Sequence, residues 1–146
     1  MSTVSEVSKA SKEAYSKDKG GGDMNNQSEL KGYRRLKVWQ EAHLLVLLIY
    51  KLTKAYPRDE LFGLVSQIRR AVVSIAANIV EGQARSSKKE FIQFLSIANG
   101  SLVEVEYFME LSHDLGYITQ AEYDTVRDKI QFVGILLHRF AASLRR

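Results

Sequence analysis

From Val38 onward, apolar residues return every three or four positions almost to the end of the chain. That period leaves packed helices as the fold on offer. Val38, Ala42, Leu45, Ile49, Leu52 and Tyr56 make a first seam with the alternating spacing of a coiled coil. Pro57, the only proline, stops that helix. A second helix is expected from Asp59–Phe62 to about Ala84. Its core stripe is Leu61, Val65, Ile68, Val72, Ile75 and Ile79, which fall within roughly 80° of one another. The third opens with a capping box, Ser87 to Glu90, and turns Phe91, Leu95, Ala98, Leu102, Val105 and Met109 inward. It ends at Leu115-Gly116, with glycine in the left-handed exit position. A second capping box, Thr119 to Glu122, starts the fourth, whose seam is Tyr123, Val126, Ile130, Val133, Leu137, Phe140 and Leu144. Short connections between long helices make neighbours antiparallel. The expected fold is all-α: an antiparallel up-down-up-down four-helix bundle over residues 33–146, with no internal repeat.

Three features go beyond a plain bundle. The first helix carries Leu44, Val46, Leu47 and Leu48 off its seam, so it needs cover on more than one side, and a partner chain is a natural cover. The second has a polar line, Gln67, Arg70, Ser74, Asn78 and Glu81, beside the small or apolar Ala71, Val73, Ala76 and Ala77. That line reads either as a solvated face or as a polar network at a subunit contact. In the third, Gly100 and Ser101 sit mid-helix, where Gly costs about 1 kcal/mol relative to Ala. Close helix approach is the expected compensation.

Residues 1–32 are a different kind of sequence, rich in Ser, Lys, Gly, Asn and Asp, with Gly20-Gly21-Gly22. They offer too little apolar surface to offset ordering entropy and are expected to be a disordered tail. Met24 leaves open that the segment ahead of it is an extension or fusion remnant. The tail is charge-neutral, so the net charge of +4 resides on residues 33–146. With no cysteine, disulfides and thiol chemistry are excluded. No apolar run approaches a membrane span, and the first residues are not a signal peptide, so a cytoplasmic protein without membrane contact is expected.

Signals for catalysis are weak. Glu110-Leu111-Ser112-His113 supplies one Glu-x-x-His, but a bundle di-metal site needs two plus further carboxylates, and neither His43 nor His138 has a Glu three residues before it. Glu106 and Glu110, with Glu104 nearby, have the spacing of a solvated helix face rather than a catalytic pair in a cleft. No nucleophile elbow surrounds any serine, and the glycine triplet follows no strand. No catalytic residue, metal or cofactor is expected.

The basic clusters carry more. Arg34, Arg35 and Lys37 precede the first helix, Arg85, Lys88 and Lys89 occupy the turn between the second and third, and Arg145 and Arg146 end the chain. Up-down topology brings all three groups to one end of the bundle. Oligomer symmetry would multiply them into a phosphate-binding surface. The competing reading is solubility charge, with Arg145 and Arg146 complementing a helix dipole.

Leu36-Lys37-Val38-Trp39-Gln40 and Ala42, then Tyr56-Pro57, Glu60, Phe62-Gly63-Leu64, Gln67, Arg69-Arg70-Ala71, Ser74-Ile75, Asn78-Ile79 and Glu81-Gly82, resemble the four-helix-bundle family of 23S rRNA intervening sequences. Phe94-Leu95, Ile97-Ala98, Gly100-Ser101-Leu102, Glu104 and Leu115-Gly116-Tyr117-Ile118 extend the resemblance over roughly 33–140. Val80 and Asn99 depart from the pattern, and the tail lies outside it. The resemblance implies a homopentamer, similar in fold to the basic accessory variability proteins of diversity-generating retroelements, which work with a reverse transcriptase and its RNA. It carries over no catalytic residues. The shared polar positions Gln67, Arg70, Asn78, Glu81, Ser101 and Glu104 are implied to be structural or inter-subunit groups. The sequence therefore reads as a non-enzymatic, homo-oligomeric accessory protein that contacts RNA or DNA through Arg34, Arg35, Lys37, Arg85, Lys88 and Lys89. The alternative is a scaffold for a protein partner with no nucleic-acid binding.

Overall fold

Four helices take up most of residues 32–146, the part of the chain that this computed structural model describes. They are α1 (Lys37–Thr53), α2 (Leu64–Gln83), α3 (Lys88–Asp114) and α4 (Gln120–Leu144). Short 3-10 turns precede α1 (Gly32–Arg35) and α2 (Arg58–Glu60), and no strand occurs among the described residues. The disordered tail expected over 1–32 and the alternative start at Met24 lie outside the described residues, apart from Gly32 itself. Each helix packs on its chain neighbours and α4 closes on α1, which is the up-down-up-down order.

The helix ends follow local chemistry. Thr119 caps α4 with the full box: its hydroxyl accepts from the Glu122 amide at 3.1 Å while the Glu122 carboxylate accepts from the Thr119 amide at 3.0 Å. At α3 only half the box forms, Ser87 Oγ accepting from the Glu90 amide at 3.2 Å. Gly116 leaves α3 with φ +78°, in the left-handed region that side chains disfavour.

Two boundaries differ from expectation. α1 ends at Thr53, ahead of Pro57, because the Ala55 and Tyr56 amides turn back to the Leu52 and Thr53 carbonyls. The tightened turn still buries the Tyr56 ring. α2 starts at Leu64, after the 3-10 turn, where the Glu60 carboxylate accepts from the Leu64 amide at 3.3 Å. Leu61 therefore lies before the helix, 49% exposed, and does not belong to the core stripe.

Inside, every other residue of the α1 and α2 seams is buried, as are Leu95, Ala98, Leu102, Val105 and Met109 of α3 and Val126, Ile130, Val133 and Leu137 of α4. Leu44 and Leu48 are also buried within the chain, and Val46 and Leu47 are half-buried. The bundle itself thus covers Leu44 and Leu48, while Val46 and Leu47 keep part of their surface open. Glu41 is a buried acid held by two cations, Lys37 Nζ at 3.2 Å and Lys129 Nζ at 3.4 Å, which ties α1 to α4. Pairing both oxygens offsets the desolvation of that carboxylate.

α2 and α3 form the closest pair. Ser74 Oγ and Ser101 Oγ hydrogen-bond across them at 2.9 Å, and Asn78 Nδ2 donates to both the Ser74 carbonyl and its hydroxyl. The glycine that permits the approach is Gly82: a Cβ there would lie 2.6 Å from the Phe91 ring and 2.9 Å from Phe94 Cβ. Gly100, expected to do this, faces outward with no atom within 4 Å of where its Cβ would be.

His43 stacks on Trp39 with ring centroids 5.0 Å apart, and burial lowers its pKa below the usual 6.5. An unfolded chain therefore binds a proton at this site before the folded one does. Its stabilising contribution is full above about pH 6.5 and declines as the pH falls below it. We expect the melting temperature to fall between about pH 7.5 and pH 5.5, and to fall less in His43→Gln. Equal drops in the two proteins would contradict this.

Candidate nucleic-acid interface

The helix order places the start of α1, the α2–α3 turn and the end of α4 together, and side-chain contacts confirm it. Gly32 lies beside Gln83 at the end of α2, and Phe91 of α3 meets Phe140 of α4 edge-on at 5.2 Å. Arg34 and Arg35 are exposed on the 3-10 turn, which is pinned by Gln40 Nε2 donating to the Arg34 carbonyl at 2.8 Å. The Arg34 guanidinium lies 4.9 Å over the Tyr33 ring, and that of Arg85 lies 4.8 Å over Phe94. Such stacking holds a guanidinium out at the surface with its hydrogen-bond donors free.

Lys88 and Lys89 are exposed in the first turn of α3. Helix amides point outward at that end, so cations there are disfavoured and anions favoured. Dipole compensation accounts for Arg145 and Arg146 at the other terminus of a helix, but not for this pair. Lys37 differs from the rest because part of its charge is spent on Glu41.

One further cation belongs to this end. Arg139 is exposed on α4 and, with Arg35 and Lys37, rims a cleft of about 330 Å³ whose floor is Leu36, Val38, Leu136 and Phe140. In the sequence Arg139 stood alone, and only its place one residue before the seam residue Phe140 hinted at its position. The opposite half of the bundle is close to balance, with Asp59, Glu60, Glu106, Glu110, Asp114, Glu122, Asp124 and Asp128 against Lys51, Lys54, Arg58, Arg69, Arg70, Arg127 and Lys129. The molecule is electrically polar along its axis.

The six polar positions of the resemblance divide into two groups. Ser101 and Asn78 join Ser74 in the network between α2 and α3. Gln67, Arg70, Glu81 and Glu104 are exposed and have no side-chain bond among the described residues. Within the chain it is Arg69 that ties helices together, its Nε donating to Thr53 Oγ1 at 3.0 Å while the guanidinium lies 4.7 Å over Tyr50. His113, the candidate metal ligand, stacks on Tyr123 at 4.8 Å. No group of three His, Asp or Glu among the described residues could hold a metal ion. No described helix is long and apolar enough to cross a membrane.

Residues 34–139 match the family described as 23S rRNA-intervening sequence protein. Among solved structures, the chain is similar to a protein of unknown function from the S23 ribosomal protein family of Bacteroides thetaiotaomicron. The two are 29% identical with a TM-score of 0.67, over 72% of this chain and 95% of that one. No functionally curated protein matches. Neither match points to an enzyme family.

Proposed function

The chain belongs to the 23S rRNA-intervening sequence protein family, and from that premise we propose that it is a non-enzymatic, homo-oligomeric accessory protein that binds RNA or DNA. Contact is made through the basic end by Arg34, Arg35, Arg85, Lys88 and Lys89, with Lys37 and Arg139 beside them. The assembly is the pentamer that the family resemblance implies, working in the cytoplasm. One observation carries the reading: cations from separate chain segments gather at one end, two of them on a helix N-terminus that disfavours cations and favours phosphate. Fixed cations and exposed amides contact backbone rather than base edges, so sequence preference is weak.

Labelled structured RNA and duplex DNA, titrated across a salt series, test this. Affinity should fall linearly on a log–log plot, with a slope near −0.9 per phosphate engaged on duplex DNA. No binding at low salt would remove the reading. It would leave the second one, a scaffold for a protein partner, which the exposed apolar side chains Phe62 and Tyr107 favour.

A further inference from the structure

We infer that the cleft between the start of α1 and the end of α4 takes an unpaired base of single-stranded nucleic acid. The inference rests on the nucleic-acid reading above and names the class of strand that this end of the bundle suits.

The cleft joins two kinds of surface. Its floor is apolar, from Leu36, Val38, Leu136 and Phe140, while Arg35, Lys37 and Arg139 stand round its rim. Leu36, Leu136 and Phe140 are only partly buried, so the bundle leaves apolar surface open here. Neither arginine takes part in an ion pair among the described residues. Leu36 is also the N-cap of α1, with extended backbone and no side-chain hydrogen bond to the first turn. Ser, Thr, Asp and Asn are favoured at that position because their oxygen caps a free amide. Leucine forgoes the cap and contributes floor instead. Arg34 neighbours Arg35 on the 3-10 turn, whose Gly32 lies beside Gln83 at the end of α2, so the rim runs on to the other basic groups.

Size and charge together narrow the occupant. At about 330 Å³ the cleft is at the small end of ligand sites, suited to one planar ring system. A fatty acid brings a single carboxylate at one end of its chain and would leave rim cations unused. Duplex nucleic acid brings phosphates at high density but keeps its bases stacked inside, so the floor would meet only sugar and phosphate. A single strand supplies both parts: an unstacked base for the floor, and phosphates on either side of it for the rim. Phe140 gives the floor an aromatic ring, and the arginines bring guanidinium planes, the two kinds of group on which bases stack. No lining side chain can accept a hydrogen bond, so the amino groups of a base go unread and preference among bases is weak.

Fluorescence anisotropy with the full chain tests this on two labelled strands of equal length across a salt series. One is oligothymidylate, the other its abasic analogue, with the same phosphates and no bases. The native chain should hold the thymidylate tighter by on the order of tenfold at every salt concentration. The two salt slopes should match, because the phosphates are the same and the base adds no charge. Leu36→Ser supplies a capping hydroxyl, Leu136→Gln makes the floor polar, and neither alters net charge. In each, the two affinities should converge while the abasic strand is held as tightly as by the native chain. If one variant loses helical circular dichroism, the other supplies the comparison. Equal affinity of the native chain for the two strands would overturn the inference, leave the phosphate-binding reading standing and give the cleft to an apolar segment of a protein partner. A folded variant that prefers thymidylate as strongly as the native chain would overturn it too, by placing the base elsewhere on the surface. No binding of either strand at low salt would remove this inference and the nucleic-acid reading together.

Discussion

Arg85→Glu/Lys88→Glu/Lys89→Glu, made together, is expected to weaken binding of RNA and duplex DNA on the order of a hundredfold at moderate salt, and to reduce the duplex salt slope by about three. All three residues are exposed and none takes part in an ion pair, so the fold should hardly notice. The stability change should come mainly from the lost stack of Arg85 on Phe94, about 0.5–1 kcal/mol. The site, in contrast, reverses sign where the α3 amides present their partial positive charge. Net charge alone could mimic the result, so the control is Lys51→Glu/Lys54→Glu/Arg58→Glu at the other end of the bundle. It changes total charge equally and should leave most of the affinity in place. Equal losses in the two triples would mean that only overall charge matters, and the basic end would no longer be a site.

How much of this was legible beforehand depends on what periodicity can see. One-sided burial over long helices writes itself into spacing, which is why the α1, α3 and α4 seams could be read directly. Spacing cannot show where helical hydrogen bonding begins. Leu61 continues the α2 period, yet it lies in the turn before the helix, and with Phe62 it is exposed instead of joining the core. Among the helical glycines, close approach was read at Gly100, but Gly82 carries it. Gly82 follows Ile75 and Ile79 on the core stripe, whereas Gly100 lies two residues past the buried Ala98, on the far side of its helix. The gathering of Arg34, Arg85 and Arg145 needed only the up-down order and was visible in the sequence. Arg139 needed the register of α4 against α1. The register of α2 against α3 needed the Ser74–Ser101 contact, which no pattern within one helix contains.

The second large effect concerns that closest pair of helices. Gly82→Val should destabilise the protein by about 1–3 kcal/mol in urea denaturation. A Cβ at this position meets Phe91 Cδ2 at 2.6 Å and Phe94 Cβ at 2.9 Å, both below any ordinary carbon contact. Neither can give way cheaply: the Phe91 ring is wedged against Phe140, and Phe94 Cβ is anchored to the α3 backbone. Relief requires α2 and α3 to part near the turn, and the few tenths of a kcal/mol that Val gains over Gly in helix propensity do not offset that. The same turn carries Arg85, Lys88 and Lys89, so folded Gly82→Val should also bind nucleic acid less tightly. Gly100→Ala is the matched contrast. Its methyl meets nothing within the chain, so it should raise stability by about 0.5–1 kcal/mol. Binding should be unchanged by it. If Gly82→Val proved as stable as the native chain, α2 and α3 would not approach as closely as described, and the placement of the basic turn between them would lose its support.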